Sequence, residues 1–142
     1  MSSTPVKIVM VEDDHGHAKL IEKNIRRANI NNEIMHFDHG QPALDYLFSE
    51  EVRLNGPMLI LLDLNLPDMS GTEILAEVKK DERLKRAPVV VLTTTDDKTE
   101  IQRCYDLGCN VYITKPVDYD SFAGAIRQQG LFLSVMQAPD IE

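Results

Sequence analysis

The chain has 142 residues, 43% of them hydrophobic, and a formal net charge of −8. This length and apolar content predict one folded domain and exclude a disordered chain. The acidic balance and the lack of a purely basic run argue against nucleic-acid binding, which needs clustered Lys and Arg. The longest apolar run, Met58–Leu62, is far too short to span a bilayer, and residues 1–5 carry no signal core. Because Cys104 and Cys109 fit no disulfide or zinc pattern, we expect reduced thiols in a cytoplasmic protein.

The first half of the chain alternates apolar runs with helical patterns. Residues 6–11 form an apolar run that predicts the first β-strand, and apolar residues then recur at helical spacing up to about residue 29. Residues 33–38 alternate apolar and polar side chains, which predicts a second strand at a sheet edge with one face in solvent. A helix over residues 42–49 and a third, almost wholly apolar strand over residues 58–63 follow.

The second half continues the same alternation. A helical pattern around Ile74 precedes a strand over residues 89–92, and the next helix ends at Gly108. The last strand covers residues 111–114, and Asp118 can cap a final helix. Five strand–helix repeats predict an α/β fold. We expect a doubly wound, flavodoxin-like parallel sheet of five strands in the order 2-1-3-4-5, with five flanking helices.

Polar residues stand at the ends of four predicted strands. Glu12 and Asp13 follow the first strand, Asp63 ends the third, Thr93 follows the fourth, and Lys115 follows the fifth. Because the first and third strands flank the point where strand order reverses, we expect these side chains to converge. Clustered carboxylates repel each other, and oxygen-only ligands favour Mg²⁺, which removes the conflict. A carboxylate surrounded by a cation, an ammonium and a hydroxyl is suited to accepting a phosphoryl group.

Four strings carry a resemblance to a known family: VMVEDD, LILLDLNLPDMSG, VVVLTTT and VYITKP. They resemble the motifs of the receiver domain of two-component response regulators, and the match covers about residues 5–128. The resemblance implies a single receiver domain over residues 1–142, with an apolar extension over 129–142. It implies phosphorylation by a sensor histidine kinase, and no enzymatic activity beyond the chain's own phosphorylation and dephosphorylation.

The resemblance also implies the ligands of the metal. Glu12 and Asp13 are similar to the family's acidic pair, in which Asp13 would touch Mg²⁺ and Glu12 would act mainly through water. Asp63 would be the phosphoacceptor and a further metal ligand. Asn65 would give its backbone carbonyl to the metal.

A second group of residues would hold the phosphoryl group and report its presence. The resemblance implies that Thr93 and Lys115 bind phosphoryl oxygens, and that a cis bond before Pro116 aims Lys115 into the pocket. Tyr112 stands where the family keeps an aromatic side chain that swings inward when the threonine moves. Thr94 departs from the small residue common at its position, so we expect altered phosphoryl lifetimes.

Other readings of the same residues are weaker. The histidines lack a third nearby ligand, so we expect them to be solvated: His15, His17, His36 and His39. A phosphatase of the haloacid-dehalogenase-like family needs a second aspartate where Asn65 stands. A flavodoxin-type flavin module needs a phosphate loop where the acidic residues follow the first strand. A non-phosphorylated pseudo-receiver remains as a third alternative.

The end of the chain suggests partners. No segment remains for a DNA-binding output domain, so we expect output through a target protein or a phosphotransfer protein. The apolar run in residues 129–142 predicts a homodimer through the fourth predicted helix, the fifth strand, the fifth helix and this extension. FLSVMQAPD, KDERLKRAPVVVLTTT and the loop over residues 50–57 resemble regulators paired with bacterial phytochrome kinases. This resemblance implies a light-responsive kinase as phosphodonor.

Overall fold

A computed structural model describes residues 6–54, 57–115 and 118–128. Five parallel strands form one sheet in the order β2-β1-β3-β4-β5, which confirms the predicted fold class and strand order. The strands are β1 (Lys7–Val11), β2 (Ile34–Phe37), β3 (Met58–Leu62), β4 (Val89–Thr93) and β5 (Val111–Thr114). Two expectations lie outside the described residues: the cis bond at Pro116 and the apolar extension over 129–142.

The described residues form six α-helices, one more than predicted. They are α1 (His15–Arg27), α2 (Gly40–Leu47), α3 (Glu50–Leu54), α4 (Gly71–Lys80), α5 (Lys98–Leu107) and α6 (Tyr119–Gln128), with a 3₁₀ turn at Leu84–Arg86. The additional helix, α3, lies where the sequence predicted a loop. Glu50 and Glu51 in its first turn favour the helix N-terminus, and Val52 is buried in the core. No helix within the described ranges is long and apolar enough to cross a bilayer.

The sheet separates two hydrophobic cores. Ile8 and Met10 of β1 face one core together with Phe122 of α6. Val9 and Val11 face the other core, which also receives α2 and α4. β3 and β4 are buried along their whole length, as expected for strands covered on both faces, whereas the edge strand β2 is only partly buried.

One glycine lets the loop after β3 close tightly beneath the carboxyl ends of the strands. Gly71 donates its backbone N–H to the Leu64 carbonyl at 2.8 Å, and Asn65 pairs with Ser70 across the loop. A Cβ atom at position 71 would overlap with the backbone oxygen of Asp63. The absence of a side chain there therefore allows α4 to begin directly against the end of β3.

The two cysteines are free and buried. Burial raises the pKa of Cys104 to about 11 and the pKa of Cys109 to about 12. These thiols stay protonated and unreactive near neutral pH. Both therefore act as small core residues.

Candidate functional site

Three carboxylates converge at the ends of β1 and β3. Glu12, Asp13 and Asp63 each place one carboxylate oxygen within 4.8 Å of the others. The backbone explains this arrangement, because β1 and β3 are neighbouring parallel strands and the Asp63 N–H donates to the Val11 carbonyl at 3.0 Å. Glu12 and Asp63 are buried, whereas Asp13 is exposed to solvent. The structure thus brings together the acidic residues that the sequence singled out.

Lys115 supplies the positive charge of the site. Its side chain is only 5% exposed, and Nζ lies 2.5 Å from Glu12 Oε1 and 3.2 Å from Asp63 Oδ2. The Lys115 backbone N–H donates to the Thr93 carbonyl at 2.8 Å, which fixes the residue at the end of the sheet. One buried ammonium therefore contacts two of the three carboxylates.

The charges of the cluster do not balance. Burial raises the pKa of Glu12, although its bond to Lys115 opposes that shift. When ionised, the three carboxylates carry more negative charge than the single ammonium can neutralise. An oxygen-only donor set with one solvent-facing carboxylate fits a hard divalent cation that keeps some of its water.

The loops after β3 and β4 meet over this pocket. Thr93 is fully buried at the end of β4, and its Oγ1 lies 3.4 Å from Asn65 Nδ2. Asn65 Nδ2 lies at the same distance from Thr95 Oγ1, and the Asn65 backbone N–H donates to Asp63 Oδ1 at 3.2 Å. Asn65 therefore contacts both the buried carboxylate of Asp63 and the hydroxyl of Thr93.

Tyr112 links β5 to the loop after β4. Its hydroxyl donates to the Thr95 carbonyl at 2.6 Å, and its backbone N–H donates to the Tyr105 hydroxyl at 3.1 Å. Burial raises the pKa of Tyr112 to about 12, so the hydroxyl stays protonated and keeps donating. The residue expected to act as a switch is thus hydrogen-bonded to the segment that begins at Thr93.

Sequence reasoning missed one neighbour of the site, His17. We expected this histidine to be solvated, but its Nδ1 lies 3.1 Å from Lys115 Nζ. Asp14 caps α1, since its Oδ1 accepts from the His17 backbone N–H at 2.9 Å. The spacing between Asp14 and His17 could have indicated this contact. The third residue after a capping residue lies about one turn further along the helix and on the same side, which here is the side of the strand end.

The other three histidines contact the backbone or one aspartate. His36 Nε2 lies 2.8 Å from the Glu12 carbonyl oxygen. His15 Nε2 and His39 Nδ1 lie 3.3 and 2.8 Å from the carboxylate of Asp38. The two contacts with Asp38 are exposed, and the hydrogen bond from His39 lowers the pKa of Asp38.

Comparison with known proteins identifies the family. A family model, the response regulator receiver domain, matches residues 8–127, which is most of the chain. The chain belongs to the response regulator receiver family of two-component signalling. This result confirms the fold and the class of protein that the strand-end motifs predicted.

Several relatives of known structure share this fold. A response regulator receiver domain from Rhodospirillum rubrum is 63% identical, with a TM-score of 0.79 and coverage of 96% of this chain and 99% of that one. The phosphorylated cyanobacterial phytochrome response regulator RcpA is 36% identical, with a TM-score of 0.77 and coverage of 96% and 100%.

A third relative is the response regulator Rcp1 from Synechocystis sp. It is 39% identical over 116 residues, which are 80% of this chain and 79% of that protein. The crystal structure of its Mn²⁺-bound form matches with a TM-score of 0.75 at 34% identity, over 96% of this chain and 100% of that one. The chain therefore has phytochrome response regulators among its homologues.

Proposed function

We propose that the protein receives a phosphoryl group from a sensor histidine kinase on Asp63, in a reaction that needs Mg²⁺. One observation carries the proposal: the buried carboxylate of Asp63 belongs to the acidic cluster, and one of its oxygens lies 3.2 Å from Nζ of Lys115. A carboxylate in this position is a nucleophile with a fixed positive charge beside it.

In the proposed step, a carboxylate oxygen of Asp63 attacks the phosphorus of a phosphohistidine. The new O–P bond forms as the N–P bond breaks, and the bonding electron pair stays on the imidazole nitrogen, which takes up a proton from water. Negative charge spreads over the phosphoryl oxygens in this transition state. Lys115 and the Thr93 hydroxyl would donate hydrogen bonds to those oxygens.

We propose that Glu12, Asp13, Asp63 and the backbone carbonyl of Asn65 hold the metal. When bound, Mg²⁺ neutralises the carboxylates and the incoming phosphoryl group. The oxygen donor set supports Mg²⁺, and so does the relative Rcp1, whose structure was determined with Mn²⁺, because both ions are bound by oxygen ligands.

The same residues disfavour a phosphatase with free substrates. Asn65 stands two residues after Asp63, where that chemistry needs a carboxylic acid to transfer a proton. We therefore infer a signalling protein that catalyses only its own phosphorylation and dephosphorylation. Two free, inert thiols support a reducing, cytoplasmic compartment.

We further propose a route from the phosphoryl group to a partner. Binding of a phosphoryl oxygen by Thr93 would shift the loop that holds Thr95, and Tyr112 would move with it through the hydroxyl bond to that carbonyl. The affected face is α5, β5 and α6. We propose this face, together with residues 129–142, as the contact surface for a homodimer and for a target or phosphotransfer protein.

Two homologues that are phytochrome response regulators support a phytochrome as the phosphodonor. RcpA is a cyanobacterial phytochrome response regulator, and another relative, RtBRR, is a bacteriophytochrome response regulator at 35% identity with a TM-score of 0.81. We propose a bacterial phytochrome as the cognate kinase. Within this proposal, residues 1–142 act as one receiver domain.

Intact-mass measurement tests the central step. The protein is incubated with acetyl phosphate, with and without Mg²⁺, alongside Asp63→Asn and the exposed control Asp45→Asn. The proposal predicts a gain of about one phosphoryl group in the wild type and the control, and only with Mg²⁺. A similar gain in Asp63→Asn would refute Asp63 as the acceptor.

A further inference from the structure

The ammonium group of Lys115 has a third neighbour besides the two carboxylates. His17 Nδ1 lies 3.1 Å from Lys115 Nζ, which also donates to Glu12 and Asp63. An ammonium group has three N–H donors and no acceptor, so Nδ1 of His17 must accept the third hydrogen bond. The imidazole is therefore neutral in this contact, with its proton on Nε2.

The start of α1 fixes the position of this ring. His17 is the third residue of the helix, and its backbone N–H donates to the capping carboxylate of Asp14 at 2.9 Å. Its side chain is 43% exposed, whereas the side chain of Lys115 is 5% exposed. The imidazole thus lies on the solvent side of the ammonium group and is held by the end of a helix.

We propose that His17 is a positioning residue for phosphoryl transfer, because its Nδ1 holds the ammonium group of Lys115 in place. The inference rests on the proposed function, since it assigns a role within the same site. Glu12 and His17 each accept one N–H, which leaves the third directed at Asp63. When a phosphoryl group forms on Asp63, that third N–H can donate to a phosphoryl oxygen while the other two remain bound.

The uncharged state of the acceptor explains why a histidine suits this position. A carboxylate at the same place would offset the positive charge that Lys115 presents to the phosphoryl oxygens. A cation bound by the acidic cluster would also attract the Glu12 carboxylate, and Glu12 would then bind the Lys115 ammonium group less strongly. Neutral His17 holds the ammonium group without reducing its charge.

Two substitutions separate the acceptor from the bulk of the ring. His17→Asn keeps a carbonyl oxygen near the place of Nδ1, whereas His17→Leu keeps an apolar side chain and removes the acceptor. His15→Leu is the matched control, because His15 also lies in the first turn of α1 but contacts Asp38. The half-exposed position of His17 leaves the fold intact, and thermal unfolding of each variant verifies this.

The first readout is the rate of phosphorylation by acetyl phosphate at saturating Mg²⁺, followed by intact mass. We expect His17→Leu to react about three- to tenfold more slowly, because a hydrogen bond to a charged group is lost and water replaces it only in part. His17→Asn and His15→Leu are expected to stay within about twofold of the wild type. A normal rate in His17→Leu, or equal slowing in the Leu and Asn variants, would overturn the proposal.

The second readout does not depend on phosphorylation. In ¹⁵N-labelled protein, the Lys115 ammonium group should give a slowly exchanging ¹H–¹⁵N signal, which is assigned by its loss in Lys115→Arg. We expect the signal in the wild type and in His17→Asn, and its loss in His17→Leu. If the wild type gains no phosphoryl group, the proposed function fails, while this signal still decides whether His17 holds Lys115. An unchanged signal in His17→Leu contradicts the positioning role.

Discussion

Replacing Lys115 with methionine removes the ammonium group that contacts both buried carboxylates of the site. Glu12 and Asp63 have side chains that are 1% and 7% exposed, and both contact the ammonium group. Removing one partner of a buried ion pair costs about 3–5 kcal/mol. Because Glu12 can take up a proton, we expect the free energy of unfolding to fall by about 2–3 kcal/mol at about pH 7.5.

The sign of the pH dependence follows from Glu12. Burial already raises its pKa in the folded protein, and loss of the Lys115 hydrogen bond raises the pKa further. A group whose pKa is raised in the folded state stabilises the fold fully at a pH below its unfolded pKa. This stabilisation is lost as the pH rises through the folded pKa. The destabilisation by Lys115→Met should therefore be large at neutral pH and small at about pH 5.

Urea unfolding followed by far-UV circular dichroism measures both effects. Lys80→Met is the matched control, because Lys80 is 73% exposed and pairs with Glu77 at 3.8 Å. We expect this control to change stability by less than about 0.5 kcal/mol at either pH. Equal stability of Lys115→Met and the control at neutral pH would refute the reasoning. A penalty that is unchanged by acidification would refute the role assigned to Glu12.

Three further predictions concern the loops, the switch and the metal. Gly71→Ala forces a Cβ atom against the backbone of Asp63, and should lower the free energy of unfolding in urea by about 1–3 kcal/mol; full stability would contradict that close contact. Tyr112→Phe removes the hydrogen bond to the Thr95 carbonyl, and should lower the free energy of unfolding by about 1 kcal/mol. The variant should still accept the phosphoryl group. An intact-mass assay that shows no gain would argue against a role of Tyr112 downstream of phosphorylation. Millimolar Mg²⁺ should raise the midpoint of thermal unfolding of the wild type but not of Asp13→Asn; equal shifts in both would place the ion elsewhere.

The sheet could be predicted almost completely because its signals are local. β3 and β4 are continuous apolar runs, and five strand patterns separated by helical patterns leave few topologies for a parallel sheet. The end of α1 differs by two residues from the prediction. Asn29 adopts a positive φ of 66°, so it belongs to the turn that follows the helix.

The start of α2 could not be predicted from its own sequence. We expected the helix to begin near Pro42, but it begins at Gly40. The carboxylate of Asp68 accepts from the backbone N–H groups of Gly40 and Gln41 at 2.7 and 2.8 Å. This cap comes from 28 residues along the chain, so no local pattern reports it.

The site shows the same division between local and long-range information. The convergence of the acidic residues and Lys115 follows from the rule that parallel strands end at one edge of the sheet. The contact between His17 and Lys115 joins residues 98 positions apart and depends on the angle of α1 against the sheet. Side-chain pairs of this kind are set by helix packing, which the hydrophobic pattern does not specify.

Direct identification of the phosphorylated residue tests the central claim. The protein is phosphorylated with Mg²⁺ present and treated with borohydride, which reduces an aspartyl phosphate to homoserine, and its peptides are sequenced by mass spectrometry. We predict homoserine at position 63 and unmodified aspartate at position 13. Modification at another residue, or none in a sample whose intact mass shows the phosphoryl group, would contradict the assignment of Asp63 as the phosphoacceptor.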